Sequence, residues 1–558
     1  MLVRHARFGS FVSLIATLVL SGCGGGSGSP KDGGSGGSLG GAGGSLGGTG
    51  GLGGAGGSGT AGAAMPTGTL VFTGGFPALL TGGPPCTWEE GATGDRWCAF
   101  IADSVTTAGN ADLFVVNVSK AGSGVSISCG LTDANCIKLS SSWGEDDFHL
   151  SGFGGDTLVY YELTGTPFAW RPGSTTGRML TETPTTGDIW ACTPSTKGTA
   201  AYCLRDLPTA MQTDPNNILL SDLLVGKIDG AASPPLTRID QVISANRADA
   251  NFAHFQVGFP VPGSDTIAWS SRATGSGPEI LKTATIGGAA TPATVASGIN
   301  SWSGSPDGTR WYWLNAVNET SGAGTLQSAP YPGGASPVAI APNALQYDFP
   351  TPTSLLVVDS AKNMVAFADP VGAPTASTPV DTSVIAFIGL SKQGHAAYVK
   401  TASQSASGTT FSDMFVKKTD GTGACTITAA TDSFPFDAIF TPSSAGLAWI
   451  QRGTTSILAQ FTRLSDCTAM SVGTNVVWTE PIGDKALLYM DGFNNVTGVA
   501  SMQFRNLAAG AVAAGPATTV SGQVGTFVVV PAGATDLVVY TVDGGGNDDG
   551  VYVRGFGP

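Results

Sequence analysis

Nine cysteines, four histidines and forty acidic residues are the groups in this 558-residue chain that could do chemistry. Cys23 stands apart at the end of an apolar run. The others, Cys86, Cys98, Cys129, Cys136, Cys192, Cys203, Cys425 and Cys467, form an even set. Neither a Cys-x-x-Cys spacing nor a nearby histidine accompanies them, which favours disulfides over a metal. Eight cysteines admit 105 connectivities. Three sequential pairs are local, however: Cys86 with Cys98, Cys129 with Cys136, and Cys192 with Cys203, each able to staple a loop or hairpin. That leaves Cys425 with Cys467, between neighbouring repeats. An oxidising envelope or exterior would permit such a framework.

The remaining constellations are poor. There is no Gly-x-Ser-x-Gly elbow and no His-Glu-x-x-His. His149, His254 and His395 each fall in or beside a predicted strand; a lone strand histidine reads as structural, because nucleophilic chemistry demands a positioned partner. Two acidic stretches offer oxygens to calcium: Glu145-Asp146-Asp147, and Asp543, Asn547, Asp548 and Asp549 on a Gly-rich loop. Neither has the spacing of a calcium loop, and both read first as solvated turns, so no metal site and no cofactor is expected. Trp88, Trp143, Trp170, Trp302 and Trp311 suit either a carbohydrate or peptide surface or packing between repeats, with packing favoured. A net charge of −14 without a basic stripe argues against nucleic acid.

The elements that hold these residues divide the chain in three. Residues 1–22 carry Arg4 and Arg7 and then an apolar run too short to span a bilayer permanently, with the flanks of a secretory signal. Its exit, Leu20-Ser21-Gly22-Cys23, resembles the lipobox of bacterial lipoproteins. That resemblance implies a diacylglyceryl group on the Cys23 sulfur, cleavage before it and acylation of the new amine. Gly24 in place of an aspartate implies, by the same resemblance, onward transport to the outer membrane. Residues 23–68 are nearly all Gly and Ser, with no side chains to bury and maximal backbone entropy to lose, so a disordered tether is expected. About 40 residues of such coil reach roughly 35 Å. Its Gly-x-Gly strings are not phosphate loops, since no strand precedes them and no helix follows.

Residues 69–558 read as all-β, and a local pattern recurs about ten times at a spacing of roughly 45–50 residues, the range of one propeller blade. Its clearest part is a turn leading into an apolar strand, as in Gly155-Asp156-Thr157-Leu158-Val159-Tyr160-Tyr161, Ser264-Asp265-Thr266-Ile267-Ala268-Trp269 and Thr535-Asp536-Leu537-Val538-Val539-Tyr540. At Ser305-Pro306-Asp307-Gly308-Thr309-Arg310-Trp311 the pattern resembles the blade signature of TolB-like propellers, Gly308 supplying the positive φ of a tight turn. The expected fold is a β-propeller of four-stranded blades, about seven to ten, in one large ring or two tandem rings. The weakest copy lies around Lys362 to Ala368. Thr69-Leu70-Val71-Phe72 is placed to add a strand to the final blade and so close the ring. The resemblance implies a lipid-anchored cell-envelope module that binds a protein, peptide or envelope polymer, held to the membrane by its lipid. The alternative is a surface glycan hydrolase or lyase with acidic residues at the central channel.

Overall fold

A strand sandwiched between two sheets has no polar face, and several short segments of this chain follow that rule. Thr157–Tyr161 is buried at every residue, and Arg310–Asn315 and Ser354–Asp359 nearly so. Strands farther out turn polar, as at Ala293–Ser297 and Ser377–Asp381. The computed structural model describes residues 68–556 apart from loop segments, the longer of which are 80–84, 88–93, 105–109, 145–151, 184–188, 209–217, 247–255, 273–277, 369–376, 405–409, 428–432 and 508–516. All of these residues belong to one unit, separate from residues 1–66. Cys23 lies outside the described residues, as does all but Gly68 of the signal and tether expected over residues 1–22 and 23–68.

The gradient of burial follows from the topology. Antiparallel meanders of four strands succeed one another at residues 78–144, 152–179, 189–246, 256–297, 299–345, 346–381, 384–427, 433–474, 476–524 and 527–556, here blades 1 to 10. The first strand of each lies nearest the axis, where neighbouring first strands approach one another. Blades 5 and 6 share Val338–Thr351, outermost in one and axial in the next. Thr518–Ala532 joins blades 9 and 10 in the same way. Blade 3 carries a fifth strand, Thr181–Thr183, parallel to Pro235–Asn246.

Apolar clusters weld each blade to the next. Leu113 of blade 1 packs with Trp170 of blade 2, Trp269 of blade 4 with Leu223 of blade 3, and Leu281 of blade 4 with Trp311 of blade 5. Each such fully buried side chain is worth roughly 2–3 kcal/mol of transfer free energy. Val71, Phe100, Leu537 and Val553 join blade 1 to blade 10. Thr69–Thr73 pairs antiparallel with Gly550–Phe556 as the outermost strand of blade 10. The protein is therefore a β-propeller closed as a single ring of ten blades, its last blade completed by the first described strand. The weak copy near Lys362 is blade 6, whose third strand is Met364–Ala368.

The turn between first and second strands is built on a hydroxyl. In blade 5, Gly308 takes φ 71°, its N–H donates to the Ser305 carbonyl at 2.9 Å, and Ser305 Oγ accepts from the Thr309 and Arg310 amides at 3.1 and 3.0 Å. Ser195 does the same in blade 3 for the Thr199 and Ala200 amides. Ser391 accepts from His395 in blade 7, and Thr441 from Gly446 in blade 8. The fourth position is at positive φ each time: Gly198, Gly394 and Ser444.

Disulfides join Cys86 to Cys98, Cys129 to Cys136, Cys192 to Cys203 and Cys425 to Cys467. The first two lie in blade 1 and the third links directly opposed residues of two strands in blade 3. Cys425–Cys467 bridges blades 7 and 8. In the chain-entropy account its longer loop removes about 4 kcal/mol of unfolded-state freedom, against about 2 kcal/mol for Cys129–Cys136.

Candidate functional site

The axis of a propeller is lined by the first strand of each blade, so that is where a site would be assembled. Many side chains of these strands turn into the blade seams rather than the axis: Phe153 is buried with Trp170 between blades 1 and 2, and Ile388 and Val528 pack against inter-blade clusters. Carboxylates on axial strands are Asp348, Asp437 and Glu480, on blades 6, 8 and 9, and each is already engaged in other interactions.

Trp170, Trp302 and Trp311 are buried between blades, Trp302 meeting Trp311 edge to face at 5.9 Å. Trp88 and the side chain of Trp143 lie outside the described residues. The aromatic side chain that does face solvent is Trp478, 46% exposed on the axial strand of blade 9 beside exposed Val477. Its ring meets Phe527, on the axial strand of blade 10, at 6.3 Å. Nothing in the sequence separates Trp478 from the buried tryptophans except two apolar neighbours at the very start of a strand.

His149, His254, Glu145, Asp146, Asp147 and Asn547 lie outside the described residues. His395 is described. Its Nδ1 lies 3.3 Å from Ser391 Oγ, and Asp420 acts on it electrostatically. Burial and Lys418 lower its pKa, Asp420 opposing them. The set contains the residue types of a hydrolytic triad, but Ser391 is 4% exposed and its Oγ already holds the His395 amide. Its chemistry is that of a turn cap.

Asp543 has Asp549 and Asp103 for neighbours; burial, then those two charges, raise its pKa. The structure thus adds Asp103, from the second strand of blade 1, to the acidic loop of blade 10. Tyr552 is raised by burial and by Asp548 and Asp549. Among the described residues no three His, Cys, Asp or Glu side chains converge to hold an ion.

A third polar group ties blade 3 to blade 4. Asp265 accepts from Lys227, Thr199 and Ser195. Burial works against its charge, but those hydrogen bonds prevail and hold its pKa below the usual range. A carboxylate so stabilised is a poor base, and its role is to pin the blade 3 turn to its neighbour.

No family model matches the chain, and no curated protein does. Solved structures of similar fold are "Crystal structure of the eukaryotic initiation factor", at TM-score 0.45 and 12% identity over 75% of this chain and 95% of that one; the β-propeller domain of the Trilobed protease from Pyrococcus furiosus, at 0.30 and 10% over 52% and 92%; and an oligogalacturonate lyase in complex with manganese, at 0.29 and 11% over 53% and 86%.

Proposed function

We propose that this chain is a lipid-anchored protein of the cell envelope, at the outer membrane or cell surface, whose propeller is a binding or scaffolding module for a protein, peptide or envelope polymer. The observation that carries the binding reading is Trp478, exposed with Val477 on an axial strand while the other described tryptophans named above are buried. An aromatic ring left in water at a ring's axis is a contact surface for a partner. The anchoring half is supported by Leu20-Ser21-Gly22-Cys23 and by the Gly/Ser segment after it, which separates a membrane-held cysteine from the ring. The resemblance of the blade 5 turn to TolB-like propellers fits the same reading.

Labelling with a palmitate analogue, followed by crosslinked capture from membranes, tests both halves. The wild type takes label and Cys23→Ala does not; Trp478→Ala stays folded and labelled but loses the partner that the wild type captures. Lipid incorporation in Cys23→Ala would contradict the anchor, and an unchanged captured set with Trp478→Ala would contradict the binding surface.

A further inference from the structure

Four arginines among the described residues are more than nine-tenths buried. Arg96 donates to the Pro531 carbonyl, Arg205 to Asp222, and Arg310 to Ser328 Oγ. Arg554, 7% exposed in the last strand of blade 10, has neither a hydrogen bond nor an ion pair among the described residues, and its Nε is fully shielded without an acceptor. Its neighbour is the Phe556 ring, 5.9 Å from the guanidinium carbon, on which Phe504 of blade 9 is stacked.

A second donor shares the face. Register sets Val538 opposite Arg554 and Tyr540 opposite Tyr552, so strand alternation brings Arg554 and Tyr540 to the side turned toward blade 9. Tyr540 is 3% exposed, and its hydroxyl has no acceptor among the described residues, whereas Tyr552 donates to the Asp548 carbonyl. Gly68 lies against this hydroxyl, where a Cβ would come within 2.6 Å of the Tyr540 oxygen. Asp536, on the same face, accepts from the Gly483 amide and makes no ion pair with Arg554. Asp548 and Asp549 stand beyond the other end of the strand, roughly 17–20 Å away at the rise of a β-strand.

A buried cation with no counter-charge is costly, and a guanidinium flanked by a hydroxyl donor matches the oxygens of phosphate. We propose that Arg554 and Tyr540 form an oxyanion site in the seam of blades 9 and 10, taking a phosphate group. Free phosphate and a lipid headgroup share that chemistry.

The test uses the full chain carrying Cys23→Ala, so that no lipid of its own intervenes. Inorganic phosphate, titrated against chloride at constant ionic strength, is expected to raise the melting temperature of the parent. Arg554→Met removes that rise, melts no lower than the parent without phosphate, and loses affinity by roughly tenfold or more, as expected for a charged hydrogen bond. Tyr540→Phe, which keeps the packing, weakens phosphate several-fold. No phosphate-dependent shift in the parent, an equal shift in Arg554→Met, or undiminished affinity in Tyr540→Phe would each overturn the site. Binding to phosphatidylglycerol vesicles that is lost with Arg554→Met supports the site with a headgroup as the source; binding of inorganic phosphate alone supports it with free phosphate as the source.

Discussion

Two carboxylates occupy two blade seams of this ring and titrate in opposite directions. Asp381 ends the outermost strand of blade 6 and accepts from Lys400 at 2.8 Å, from Tyr398 and from the Thr382 amide, with Lys417 at 3.2 Å. Burial penalises its charge, yet those partners hold its pKa at about 2. Glu279, in the third strand of blade 4, shares the face of Leu281, which packs on Trp302, Trp311 and Trp313 of blade 5. It is 5% exposed, and Oε1 has no partner. Burial pushes it up to about 8, against the pull of Ser270 and Arg272. The same residue class, in the same kind of seam, is thus a clasp in one place and a charge-averse core group in the other. What differs is the number of donors that the facing strands supply.

The larger effect belongs to Glu279. Its folded pKa lies above the unfolded value of roughly 4, so its contribution is complete below about pH 4 and is lost as pH rises through about 8. The loss is on the order of 5 kcal/mol. Glu279→Gln should flatten the stability of the ring between pH 5 and 9, measured by denaturant unfolding; an alkaline loss as steep as in the wild type would remove this half of the comparison. Asp381 behaves inversely. Its depressed pKa contributes stability present above roughly pH 4 and lost as pH falls through about 2. Asp381→Asn should cost about 2 kcal/mol at neutral pH, by leaving Lys400 and Lys417 without a counter-charge, and should blunt the acid transition. A neutral-pH stability equal to wild type would show that the clasp is only geometric.

How much of this was legible in the sequence follows from the sandwiching of strands. Second strands such as Thr157–Tyr161 and Thr535–Val542 are covered on both faces, and so read as unbroken apolar runs beside a turn. The second strand of blade 6, Ser354–Asp359, is as apolar, but it enters directly from the shared strand Val338–Thr351 without the Gly or Asp-Gly punctuation that marks the others. Asp-Gly marks the blade 5 turn, but the requirement these turns share is a hydroxyl at the first position and a positive φ at the fourth, as Ser195, Ser391 and Thr441 show. Short sequence separation made the local cysteine pairs readable. The settings of Arg554 and Trp478 were not readable: one has no carboxylate partner among the described residues, the other is left exposed on its axial strand, and neither property is local in sequence.

Ring closure by Thr69–Thr73 is the feature on which the account rests most, because it makes that strand one the ring requires. Thermal unfolding of two truncations tests it. Removing residues 24–62, whose Gly/Ser composition marks them as a tether, should leave the melting temperature unchanged within a degree or two, whereas removing residues 24–72 strips the outermost strand from blade 10, exposes Val71's partners Val551 and Val553, and should lower it by many degrees. Equal melting temperatures for the two truncations would contradict the closure.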